Sequence, residues 1–198
     1  MTQTQNEAEF EFEWLLRQKY EFKILTLIAV LADNNLAYRG TLKDMCEFFG
    51  VKPGDFRTNN QIKAAITKLE ADGLLKQIVD GRTFTLTLSK KGEQRKRVIS
   101  IQKEWVEIAK NYKSEENSVA WINLLKVWLY LIDNKKEILT TKGIAKELGL
   151  SEGVVKRTKQ ALDKDIQTIV NKRKTIVSAN GGYRCLGSSI TVKAWLDE

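Results

Sequence analysis

Between Trp14 and Ala32 the apolar residues Trp14, Leu15, Tyr20, Phe22, Ile24, Leu25 and Ile28 cover more than one face of a helix. Such a pattern predicts a single long helix placed in a core, with an oligomer contact as a second use for it. The next helical stretch opens with Thr41 and Asp44 at capping-box spacing, which marks an N-terminus. Pro53 and Gly54 then rule out a continuous helix, because proline lacks the amide proton and its ring clashes with the preceding turn. Thr58 and Gln61 form a second candidate box, and Ile62, Ala65, Ile66 and Leu69 recur at helical spacing beyond it. Asn60, Ala64 and Thr67 are thereby turned outward, with Lys63 and Lys68 on the flanks. Gly73 predicts the helix end, and Asp80 with Gly81 predicts a tight hairpin turn between two alternating runs.

The same order returns in the second half. Ile144, Leu148, Leu150, Val155 and Leu162 place two short helices on one apolar seam, with Ala145 at their close crossing. Gly149 occupies the turn where a positive φ is needed, and Ser151 is the expected N-cap. On the wheel of the later helix, Val154, Val155, Thr158, Ala161 and Leu162 face inward, and Gly153, Lys156, Arg157 and Gln160 face outward. After Leu162 the period changes from helical to alternating. β-branched runs at Ile166 to Val170, Thr175 to Val177 and Ile190 to Val192 predict strands separated by turns. Gly181 and Gly182 are the expected hairpin turn, and Lys172, Arg173 and Lys174 form a cationic cluster at a strand connection.

Between the halves, Val98, Ile101, Trp105, Ile108 and Tyr112 recur every three or four residues. The interval predicts a helical connector over residues 90–117, serving as a rigid spacer or a dimerisation helix, with the domain break at Ser114 to Asn117. The basic run Lys90, Lys91, Arg95, Lys96 and Arg97 either touches a polyanion or forms a solvated face. Residues 1–13 carry Glu7, Glu9, Glu11 and Glu13 without a base and read as an acidic tail.

Charge adds direction. The chain of 198 residues carries a net +8, which favours a polyanionic partner and allows two compact domains. From Ser118 onward 14 Lys and Arg face 8 Asp and Glu, so most of the excess lies in the second half. Catalysis is poorly served: without any histidine, serine–histidine and cysteine–histidine arrangements and most zinc chemistry are excluded. No phosphate-binding glycine loop is present. Asp133, Asp163 and Asp165 are explained as helix-end or solvent-facing residues, so an enzyme, a cofactor and a metal are not expected. Cys46 and Cys185, with no second ligand pair, suit free thiols in a cytoplasmic protein. Ile24 to Leu31 is too short for a membrane span and Lys19, Glu21 and Lys23 lie beside it.

The alanine, glycine and apolar spacing around Thr141 to Leu162 resembles the helix-turn-helix of bacterial DNA-binding proteins, and the helix end and hairpin around Gly73 and Gly81 are similar to those of winged-helix regulators. The order resembles two winged-helix domains in tandem, as in plasmid and phage replication initiators and regulators of mobile elements. The expected fold is therefore α+β, mainly α, with a first winged-helix domain at residues 14–89, the helical connector, and a second at residues 118–198. The resemblance implies double-stranded DNA as partner. Candidate contacts in the first domain are Asn59, Asn60, Lys63, Ala64, Thr67 and Lys68, with Arg82 near the tip of the hairpin, or wing. In the second they are Ser151, Lys156, Arg157, Lys159 and Gln160, joined by Lys172, Arg173 and Lys174 at the phosphates. A different role stays open: paired winged-helix domains also serve assembly in chromosome-condensation subunits, which makes a homodimer or a protein partner the alternative.

Overall fold

The structure, a computed structural model, describes residues 6–33, 36–89, 97–113, 119–134, 138–166, 169–177 and 183–192, with the backbone alone for Ile138 and for residues 169–177 and 183–192. It is α+β, with more of the described residues in helices than in strands. Two compact units divide the chain, Met1–Lys110 and Asn111–Glu198.

The first unit begins with β1 (Glu7–Glu11) and a 3-10 turn (Phe12–Leu16), followed by α1 (Lys19–Leu31). Phe22, Ile24, Leu25, Leu27 and Ile28 of α1 are fully buried, as a helix apolar on several faces requires. The single helix expected from Trp14 is broken at Arg17 and Gln18, whose backbones are extended. Neither residue is a helix breaker; tertiary contacts hold the break, with the Arg17 guanidinium bonded to Asp72. Next come β2 (Ala37–Thr41), α2 (Leu42–Phe49), α3 (Phe56–Ala71), β3 (Leu75–Asp80) and β4 (Thr83–Leu88), with the strands ordered β2-β4-β3 and antiparallel. The Thr41–Asp44 capping box forms: Thr41 N donates to Asp44 Oδ2 at 2.7 Å and Asp44 N to Thr41 Oγ1 at 3.3 Å. The Thr41 amide, and after it the Thr41 hydroxyl donating to Asp44 Oδ2 at 2.9 Å, hold the Asp44 carboxyl below its ordinary pKa. Gly73 and Gly81 both take positive φ, at the α3 end and in the β3–β4 turn respectively.

β5 (Val98–Gln102) and α4 (Lys103–Asn111) complete the first unit, and here the structure differs from the expected tail and connector. β1 pairs antiparallel with β5, matching Ala8 to Ile101 and Phe10 to Ile99, and all four side chains are buried. The period of this segment is two: in β1 the glutamates alternate with Ala8 and Phe10, and in β5 Ile99 and Ile101 alternate with Val98 and Ser100. Val98 and Ile101 fit a helical interval by coincidence. Only from Lys103 does a helix form, burying Trp105, Val106 and Ala109. Lys110 Nζ lies 3.9 Å from the Phe48 ring centroid, which attaches α4 to α2.

The second unit contains α5 (Trp121–Asp133), β6 (Ile138–Leu139), α6 (Thr141–Leu148), α7 (Glu152–Gln160), a π-helical turn (Ala161–Asp165), β7 (Ile169–Val177) and β8 (Tyr183–Val192). Ile122, Leu124, Leu125, Val127, Trp128, Leu129 and Leu131 of α5 are buried in its core. The strands are ordered β6-β8-β7. The runs α1 to β4 and α5 to β8 thus share the order helix, strand, helix, helix, strand, strand, with the last of these strands in the middle of its sheet. The expected strand at Ile166 to Val170 starts only at Ile169, since Ile166 ends the π-helical turn in helical geometry, and it runs on into the expected strand Thr175 to Val177 as one strand, β7, because the intervening polar run has neither glycine nor proline to stop it. That run leaves a smaller mark, a register shift between Lys174 and Thr175. Among the described residues no helix is long and apolar enough to cross a membrane.

Candidate nucleic-acid interface

In the first unit, the turn after α2 and the cap of α3 decide which residues face out. Gly50 ends α2 in the left-handed region at φ 64°. The α3 N-cap is Asp55, which accepts from Thr58 N at 2.8 Å, and not the expected Thr58. A hydrogen bond from the Thr58 side chain, and after it this backbone bond, keep the Asp55 carboxyl below its ordinary pKa. The helix starts two residues before Thr58 as a result and includes Phe56 and Arg57. Ile62, Ala65, Ile66 and Leu69 are buried as expected. Asn60, Lys63, Ala64, Thr67 and Lys68 are exposed, together with Arg57 and Gln61.

Two expected contacts serve the fold. Asn59 is half-buried and its Oδ1 lies 3.7 Å from Cys46 Sγ, so it faces α2 and leaves the outward surface. Lys68 is exposed yet engaged, its Nζ donating to Glu21 Oε1 at 2.8 Å. Glu70 is turned to the hairpin, accepting from Gln77 N at 3.1 Å and Gln77 Nε2 at 2.6 Å. Those bonds lower its pKa, fix β3 against the end of α3 and withdraw the helix's interior carboxylate from the outward face. Arg82 is exposed beside Gly81 in the hairpin turn. Sequence reasoning missed Phe56, Ile78 and Val79, which are 79%, 68% and 53% exposed. The aspartate following Pro53 and Gly54 was the available signal for Phe56, since an Asp there caps the residues that follow it.

In the second unit, Gly149 ends α6 at φ 63° and Ser151 Oγ accepts from Val154 N at 3.3 Å. Ser151 is therefore a cap. Lys156 and Arg157 are exposed beside Gly153 and Glu152, and Gln160 is half-buried. Lys159 departs from expectation: it is buried, 5% exposed, on the same side of α7 as Val155 and Thr158. At four residues after Val155 it falls on the packed face, which its charge concealed. Lys172, Arg173 and Lys174 lie within β7, paired with Ser189, Ser188 and Gly187, and not at a connection. Gly181, Gly182, the run Lys90 to Lys96 and the break at Ser114 to Asn117 lie outside the described residues. Arg97 is packed over the Phe12 ring at 4.2 Å.

Other chemistries find little support. Among the described residues no three metal-ligating side chains gather. Cys46 is a buried free thiol whose pKa is raised, first by burial and then by Asp55 and Glu47. Asp165 accepts a hydrogen bond from the Tyr112 hydroxyl, consistent with a role in folding. No family model, curated protein or solved structure matches this chain.

Proposed function

We propose that the protein binds double-stranded DNA through two helix-turn-helix units of winged-helix type, with α3 and α7 as the groove-facing helices. One observation carries this reading: the outward surface of α3 offers Arg57, Asn60, Gln61, Lys63, Ala64 and Thr67 without a carboxylate. Amides and a hydroxyl on such a surface match donors and acceptors on base edges, and the cations match phosphates. The repeated element order and the net +8 support it. On α7, Lys156 and Arg157 supply the cationic part, and Arg82 gives the first hairpin a phosphate contact. Replication initiation or transcriptional regulation of a mobile element is the setting this reading implies.

Fluorescence anisotropy with duplex DNA across a salt series tests it. Binding that weakens linearly in log affinity against log salt is expected. A protein that binds no duplex at low salt would end the proposal. The exposed Ile78 and Val79 favour a second reading, a protein-docking module. A stoichiometric protein partner recovered after nuclease treatment, without DNA binding, would select it.

A further inference from the structure

Phe56 is the most exposed large hydrophobic residue among those described, and it stands at the first position of α3. Its place on the helix singles it out. Phe56, Asn60, Lys63 and Thr67 are spaced by four, three and four residues, so they form one stripe along the exposed side. Ala64 lies beside it. The stripe therefore begins with an aromatic ring, continues through an amide and an ammonium, and ends with a hydroxyl and methyl groups. Arg57 and Lys63 give it positive charge. The nearest acid, Asp55, has its carboxylate turned back onto Thr58 N at 2.8 Å.

A phenyl ring has no donor or acceptor to offer a base edge. In the major groove the apolar group presented by the bases is the thymine 5-methyl, and phenylalanine is one of the side chains that contacts it. The leading end of a groove-facing helix is also the end whose side chains reach the bases. We infer that Phe56 is a specificity-determining residue that selects thymine in the target duplex through its 5-methyl group. This rests on the DNA-binding reading above and adds to it the identity of one base.

The test uses the full chain. Duplexes are selected from a randomised pool, and each thymine of the best duplex is replaced in turn by uracil, which removes only the methyl. Wild type and Phe56→Ala are then titrated against the series. At one thymine, uracil is expected to weaken wild-type binding about fourfold, the effect of one buried methyl group, and to leave Phe56→Ala unchanged. Phe56 makes little of the core, so the variant is expected to melt with wild type. If uracil affects both proteins alike at every position, or neither at any, the inference is overturned while DNA binding stands. Phe56→Ala that keeps the thymine preference but loses a protein partner also overturns it. Failure of wild type to bind any duplex removes both.

Discussion

Lys68 and Glu21 join α3 to α1 through an ion pair of 2.8 Å, in which the Glu21 side chain is 4% exposed and the Lys68 side chain 50%. The other Glu21 oxygen lies 3.8 Å from Arg17, which is bonded to Asp72 at the end of α3. A buried carboxylate that loses its hydrogen-bonded cation retains its desolvation cost. Lys68→Ala is therefore expected to lower the unfolding free energy by about 1–2 kcal/mol, against within about 0.5 kcal/mol for Lys63→Ala. Urea titrations of both variants check it, and equal midpoints would refute it. Loss of DNA binding in a Lys68 variant would accordingly report on the set of α3 as well as on a phosphate contact.

Lys23 gives the first unit a pH dependence. Its Nζ donates to the Phe49 carbonyl at 3.1 Å and lies 5.6 Å and 5.4 Å from the Tyr20 and Phe49 ring centroids. Burial, followed by the charge of Lys19, lowers its pKa from 10.5 to about 8. Between these values the unfolded chain binds the proton and the folded one does not, so this group's contribution to stability rises with pH across that window. Tyr38, raised to about 12 by burial and Asp44, acts oppositely and only above pH 10. From about pH 7.5 to about pH 9.5, wild type is expected to gain about 1–2 kcal/mol relative to Lys23→Met. Parallel profiles in denaturant titrations would refute this.

Gly40 leaves room for the Tyr38 hydroxyl. A Cβ at that position would stand 2.1 Å from Tyr38 Oη and 2.6 Å from its Cζ. The Tyr38 ring is buried and cannot simply swing away. Gly40→Ala is expected to destabilise by about 1–3 kcal/mol, with part of the loss recovered in the double variant that adds Tyr38→Phe. Thermal denaturation of the four proteins measures the coupling, and strictly additive effects would disprove the contact.

On the proposed reading, the exposed cations Lys156 and Arg157 of α7 and the exposed amide Asn60 of α3 carry different chemistries, and this predicts a division of labour. Lys156→Ala with Arg157→Ala is expected to weaken binding to all duplexes and reduce the salt slope by about 2, as two lost phosphate contacts would. Asn60→Ala is expected to alter sequence preference with little change in slope. Anisotropy on matched and scrambled duplexes distinguishes the two patterns. Similar changes in both variants would show that the helices do not divide the work.

How much of this was legible in the sequence varied with the physics of each segment. The turns at Gly73, Gly81 and Gly149 and the caps at Thr41 and Ser151 depend on local backbone geometry, so spacing was enough. The buried stripe of α3 was legible for the same reason. Lys159 was misplaced because charge suggested exposure where periodicity pointed inward. Asn59 was misplaced because its partner, Cys46, belongs to another helix. β1 and β5 were missed because each strand is short and its partner lies about ninety residues away, a pairing no local pattern announces.

That pairing also orders events on the ribosome. Strand β1 leaves the tunnel about ninety residues before β5 and has no partner until Gln102 has emerged, whereas every strand of the three-stranded sheet precedes β5 in the chain. Among the described strand pairings of the first unit the β1–β5 pairing is the most distant in sequence, so it is expected to form last. A fragment begun at Trp14 would leave Ile99 and Ile101 with an unpaired strand edge and an uncovered apolar face, and is expected to aggregate where the full chain stays dispersed. The backbone of β1 covers that edge, and its alternating glutamates put charge on the outward face of the strand.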